Sequence, residues 1–144
     1  MGRLAFAGVS VALAACGAGH PGVVIGSVGG QIFRVVDGTA AIRMSSGETF
    51  ARIQLGDRPS LCDLESRYTV TQSAHTLIID LADFSANRDN YQAPSAPGTY
   101  TPTSPAGGPF YDHTAFVEAR TTDANCAYVP GQSARATSGA VTLT

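Results

Sequence analysis

His75-Thr76-Leu77-Ile78-Ile79-Asp80-Leu81-Ala82 decides how this chain folds. Successive side chains of an extended backbone point to opposite faces, so Leu77, Ile79 and Leu81 line one side of a strand. The stretch has the apolar, β-branched content of a buried strand, and no glycine or proline interrupts it.

The same period of two recurs on both sides. In residues 49–55, Ala51, Ile53 and Leu55 fall on one face and Phe50, Arg52 and Gln54 on the other. In residues 110–120, Tyr111, His113, Ala115, Val117 and Ala119 share a face. Upstream, β-branched residues 23–28 and 31–36 are joined by Gly29-Gly30, a two-residue hairpin signal. Asp37-Gly38 reads as a turn, residues 40–44 as a third strand, and Ser45-Ser46-Gly47 as a further turn. Residues 68–71 begin another strand. Residues 139–144 form the last, with Val141 and Leu143 inward. One segment breaks the rhythm. Ser60 and Asp63 resemble a capping box with Asp in the Glu position, and Leu61, Leu64 and Tyr68 recur at helical spacing. The expected fold is therefore all-β, a single antiparallel β-sandwich or small barrel with one short helix at residues 57–68.

Composition agrees. Sixteen Gly and eight Pro in 144 residues indicate many turns, and 44% apolar residues suffice for a core. Charge is sparse at 14%, and all nine basic residues are Arg. Eleven acids outnumber them and no basic patch emerges, which excludes nucleic acid as an expected partner.

The chemistry-bearing motifs are few. There is no nucleophile elbow, no phosphate-binding glycine loop opening a helix and no His-Glu-x-x-His. His75 and His113, with Asp80 or Asp112, supply the residue types of a hydrolytic or metal site, but no spacing joins them. Asp83, Ser85, Asn87 and Asp89 alternate like the start of a calcium loop. Arg88 and Pro94 then stand where such a loop needs Gly and Glu, so a polar turn is the simpler reading. No catalytic residue, metal or cofactor is assigned. Residues 84–109 hold five of the eight prolines and read as a long loop carrying only one short strand, at 98–101. Tyr91 and Tyr100 lie within it, and Phe110 and Tyr111 follow it. Exposed rings on a loop provide rigid area for a glycan or a protein, whereas buried ones pin the loop to the domain.

The amino terminus carries the most specific motif. Arg3 precedes an apolar run at residues 4–12, broken only by Gly8 and Ser10. The run is far shorter than the roughly 20 residues that span a bilayer. Leu13-Ala14-Ala15-Cys16 closes it. This segment resembles the lipobox of bacterial lipoproteins; Ala12-Leu13-Ala14 also fits ordinary secretory cleavage. The resemblance implies a signal peptide at 1–15 and a mature chain that begins at Cys16, lipidated on its thiol and usually acylated on its amine. Two or more acyl chains anchor stably. Gly17 implies sorting to the outer membrane by the enteric rule.

If Cys16 carries lipid, the odd cysteine count resolves and Cys62 and Cys126 remain as a pair for an oxidising compartment, unless both stay reduced. The expected organisation is a signal peptide, a lipidated Cys16 with a tether to residue 22 that reaches about 20 Å, and a β-domain at 23–144. The expected role is a lipid-anchored cell-envelope protein that binds or supports an envelope protein or glycan. The alternative is an envelope hydrolase using His and Asp residues.

Overall fold

The structure is a computed structural model, and it describes residues 9–11, 27–28, 31–59, 74–85, 90–103, 111–125, 127 and 129–143. Eleven strands occur there: β1 (Val9–Val11), β2 (Ser27–Val28), β3 (Gln31–Ile32), β4 (Asp37–Ser45), β5 (Glu48–Gly56), β6 (His75–Ser85), β7 (Asn90–Gln92), β8 (Gly98–Pro102), β9 (His113–Thr121), β10 (Ala134–Arg135) and β11 (Val141–Leu143). The fold is all-β, as the sequence indicates, and no helix occurs among the described residues. Most of the expected helix, at residues 60–68, lies outside them, as do Cys16, Cys62, Cys126 and Phe110.

Nine strands make one curled sheet, a half-barrel, in the order β1-β11-β8-β9-β6-β5-β4. Strand β10 adds to β9, and β7 adds to β6. The pairings are antiparallel except β8 with β9 and β1 with β11. Strands β2 and β3 form a separate antiparallel pair flanking positions 29–30, as the Gly-Gly signal indicates.

The centre follows from the three alternating segments. Ile79 of β6 lies opposite Ile53 of β5 and Val117 of β9. Leu77 lies opposite Leu55 and Ala119, and Leu81 opposite Ala51 and Ala115. These rows share one face, and Leu77, Ile79, Leu81 and Ala115 are fully buried. Phe33, Tyr100, Ala136 and Val141 complete the cluster. Burying each large aliphatic side chain contributes about 1.5–3 kcal/mol, so this layer supplies most of the folding drive.

The β4–β5 hairpin turns on two residues, with Ser45 opposite Glu48. Ser46 has φ 52° and Gly47 has φ 84°. Both are positive, as a type I′ turn demands. This turn twists with the strands it joins, which is why the short polar insert closes so long a hairpin.

Three local expectations change. Asp37-Gly38 opens β4 instead of turning the chain. A Cβ at residue 38 would stand 2.8 Å from Leu55 Cδ2 and 3.3 Å from Gln54 O, so a larger residue there would make Leu55 shift. The strand expected at 31–36 ends at Ile32, and Phe33 drops into the core. The proline-rich segment contains β7 as well as β8, because Tyr91 packs with other rings and Ala93 N–H donates to Thr49 Oγ1 at 3.0 Å. Strand β1 falls inside the expected leader and lies parallel to β11, Val9 opposite Val141. The carboxy-terminal strand is thus flanked by β1 and β8.

Candidate functional site

The second face of the sheet is built from the alternate positions of the same strands. Phe50, Arg52, Gln54, Ile78, Asp80, Phe84, Phe116, Glu118 and Arg120 all retain partial exposure, with Thr39, Ala82 and Thr114 buried among them, whereas the opposite face is closed except at β4, where Ile42 and Met44 are exposed. Strand periodicity alone places aromatic and charged side chains together here.

One end of the face is aromatic. Tyr91 lies at its centre, with ring centroids 5.9 Å from Phe50, 5.3 Å from Phe84 and 5.6 Å from Phe116. The Tyr91–Phe116 contact is edge-to-face, the arrangement that the ring quadrupole favours. Burial raises the Tyr91 hydroxyl pKa, with Glu48 adding to the effect, so the ring stays neutral.

The other end is charged and internally paired. Arg52 Nε donates to Asp80 Oδ1 at 2.7 Å, and Arg52 Nη2 donates to Asp80 Oδ2 at 2.7 Å. The two bonds make a bidentate fork. Arg120 Nη2 donates to Glu118 Oε2 at 2.9 Å, and Arg135 Nη2 lies 3.8 Å from the same oxygen. The Arg120 bond, helped by Arg135, holds the Glu118 carboxyl below its ordinary range. Asp80 raises the Arg52 pKa further. Neutralised charges beside half-buried rings form a surface that a partner can cover without stranding an ion.

The four rings singled out in the sequence do not form one loop surface. Tyr91 belongs to the face just described. Tyr100 is fully buried on the other side, and its hydroxyl donates to Ala96 O at 3.5 Å. Burial, with the Asp83 carboxylate nearby, pushes its pKa up to about 12. Tyr111 is 37% exposed at the entrance to β9. Phe110 is outside the described residues. Phe50 reads in the sequence as an outward strand position, Phe84 falls in the expected loop and Phe116 carries no signal of its own; register brings all three to Tyr91.

The candidate histidine site is not assembled as a unit. His75 Nδ1 lies 2.7 Å from Asp57 Oδ2, and Asp57 Oδ1 accepts from the His75 backbone N–H. His113 Nδ1 lies 2.8 Å from Asp83 Oδ1, and its ring meets Tyr100 edge-on at 5.3 Å. The two pairs occupy opposite ends of β6 and β9. The rise of an extended strand separates them by roughly 26 Å. Asp80 lies on the other face with Arg52, and Asp112 is exposed before β9. Each dyad orients an imidazole, but two separated dyads make no shared hydrolytic site. Asp83 of the calcium-like segment is held by His113, and residues 86–89 are outside the described residues. Among the described residues, no group of three or more His, Cys, Asp or Glu could hold a metal ion.

Fold and site together define an all-β half-barrel domain with one closed apolar face and one open face of rings and paired charges. No family model, curated protein or solved structure matches the chain.

Proposed function

We propose that this chain is a lipid-anchored protein of the bacterial envelope whose β-domain binds a partner protein through the open sheet face. The lipobox-like Leu13-Ala14-Ala15-Cys16 supports the anchor. The observation that carries binding is the half-exposed ring cluster centred on Tyr91, set beside the Arg52–Asp80 fork. Aromatic and Arg side chains dominate the energetics of protein interfaces, and charges already paired cost less to desolvate. The face is a broad strand surface, suited to a protein more than to a small substrate enclosed in a cleft.

The test is a photoreactive amino acid at position 91 in cells that express the full chain, with position 99 on exposed β8 as the control. The expected result is one discrete protein adduct at position 91 that is absent at 99 and weakened at least tenfold by Phe116→Ala. Equal labelling at both positions, or adducts only with glycan, overturns the reading.

A further inference from the structure

We infer that the protein covering the open face presents an Asp or Glu side chain to Arg135, carried on the same short segment as an apolar side chain that seats on the rings around Tyr91. The inference rests on the protein-binding reading of this face and names the chemistry that the partner brings.

The charges at this end of the face do not balance. Arg52 occupies both carboxylate oxygens of Asp80. Arg120 Nη2 donates to Glu118 Oε2 at 2.9 Å. Arg135, on the two-residue β10, lies directly across from Glu118. Its Nη2 stands 3.8 Å from that same oxygen. The separation is beyond hydrogen-bond range. One carboxylate thus serves two guanidinium groups, and the nearer one holds it. Among the described residues, the Arg135 fork has no hydrogen-bonded acceptor, and 53% of the side chain is exposed.

A partner that covers Phe116 and Glu118 also covers Arg135, the cross-strand neighbour of Glu118. Taking a guanidinium out of water without an anion is costly, so the covering surface supplies one. A carboxylate meets the fork with two parallel hydrogen bonds, as Asp80 does for Arg52 on the same face.

Strand geometry sets the spacing. Phe116 and Glu118 stand two residues apart on one face of β9, which is about 7 Å. Reaching Arg135 adds one strand spacing of about 5 Å at right angles. The resulting separation of about 8 Å matches two side chains of one extended segment at i and i+2, with the acidic side chain making up the remainder. An apolar-x-acidic segment therefore makes both contacts.

The test uses the full chain with the photoreactive residue at position 91, in membranes of the cells that express it. The protein adduct is expected to fall at least tenfold with Arg135→Gln and to weaken in high salt. The chain contains no lysine, so Arg135→Lys supplies its one side-chain amine. A carbodiimide then joins that amine to a carboxylate in contact with it. The expected product is an amide from position 135 to an Asp or Glu of the partner labelled from position 91; the parent chain and Thr99→Lys are controls, and circular dichroism shows each variant folded. No protein adduct at position 91 overturns the face reading and this inference with it. An adduct indifferent to Arg135→Gln, no amide from position 135 other than one to Glu118 within the chain, or an amide to a glycan or lipid carboxylate overturns this inference alone.

Discussion

Arg52 and Asp80, on neighbouring strands β5 and β6, share two hydrogen bonds of 2.7 Å on the open face of the sheet. The pair lies directly cross-strand, where geometry costs little side-chain entropy. The Arg52 side chain is 38% exposed. Solvent therefore screens much of the attraction. A double-mutant cycle with Arg52→Ala and Asp80→Ala is predicted to give a coupling of about 1 kcal/mol in urea unfolding. Arg52→Lys should lose most of it, since an ammonium cannot reproduce the fork. A coupling indistinguishable from zero contradicts this account of the pair.

Glu118 links stability to acid. Its folded pKa is below the ordinary 4.5, chiefly through the Arg120 hydrogen bond. A depressed carboxyl contributes stability above its unfolded pKa and loses it as pH falls through the folded value. Wild type should therefore exceed Glu118→Gln by about 0.5–1 kcal/mol at pH 7, and the gap should close as the carboxyl protonates. Unfolding titrations at neutral and acid pH read it; a gap independent of pH refutes the linkage.

Tyr100 gives the alkaline counterpart. Desolvation raises its pKa from 10.0 to about 12. Its contribution is therefore complete below the unfolded value and is lost as pH rises through the folded one. Relative to Tyr100→Phe, wild type should lose stability across that window and nowhere else. Parallel curves for the two proteins throughout the window would show that this hydroxyl does not titrate as its burial requires.

The hairpin turn can be improved. Ser46 holds φ 52°. That conformation costs a residue other than Gly or Asn about 1 kcal/mol. Ser46→Asn supplies the favoured Asn-Gly pair and should stabilise by about 0.5 kcal/mol. Gly47 has φ 84° and open space around it. Gly47→Ala should nevertheless destabilise by about 1 kcal/mol. Thermal melts that rank the two variants the other way contradict the I′ assignment.

Much of the fold was legible because three segments alternate cleanly. Leu77, Ile79 and Leu81 needed no context to be read as a core face, and the same holds for Ile53 and Leu55 and for Val117 and Ala119. The short strands β7 and β10 were not legible, since neither is long enough to carry a period; pairing to a neighbour makes them strands. Asp37-Gly38 misled for a definite reason. The dipeptide has turn chemistry, but here it opens a strand, and the glycine packs closely over Leu55 Cδ2 and Gln54 O. The site was half legible. Tyr91 stood out as an aromatic beside a proline-rich segment, yet its partners Phe50, Phe84 and Phe116 lie far apart in sequence and only register unites them. Tyr100 looked equivalent to Tyr91 and is buried instead, because β8 lies between β9 and β11 and turns that ring into the core.

The proposed anchor sets where the domain works, and the leader that it implies includes β1, residues 9–11. The intact mass of the mature chain, recovered from membranes of a bacterial host, tests it most directly. The account predicts a chain that starts at Cys16, carries acyl chains, and leaves β11 as a sheet edge once β1 is removed; Cys16→Ala should abolish both the acyl mass and membrane partitioning. An unacylated chain, or one that retains residues 9–11, contradicts it.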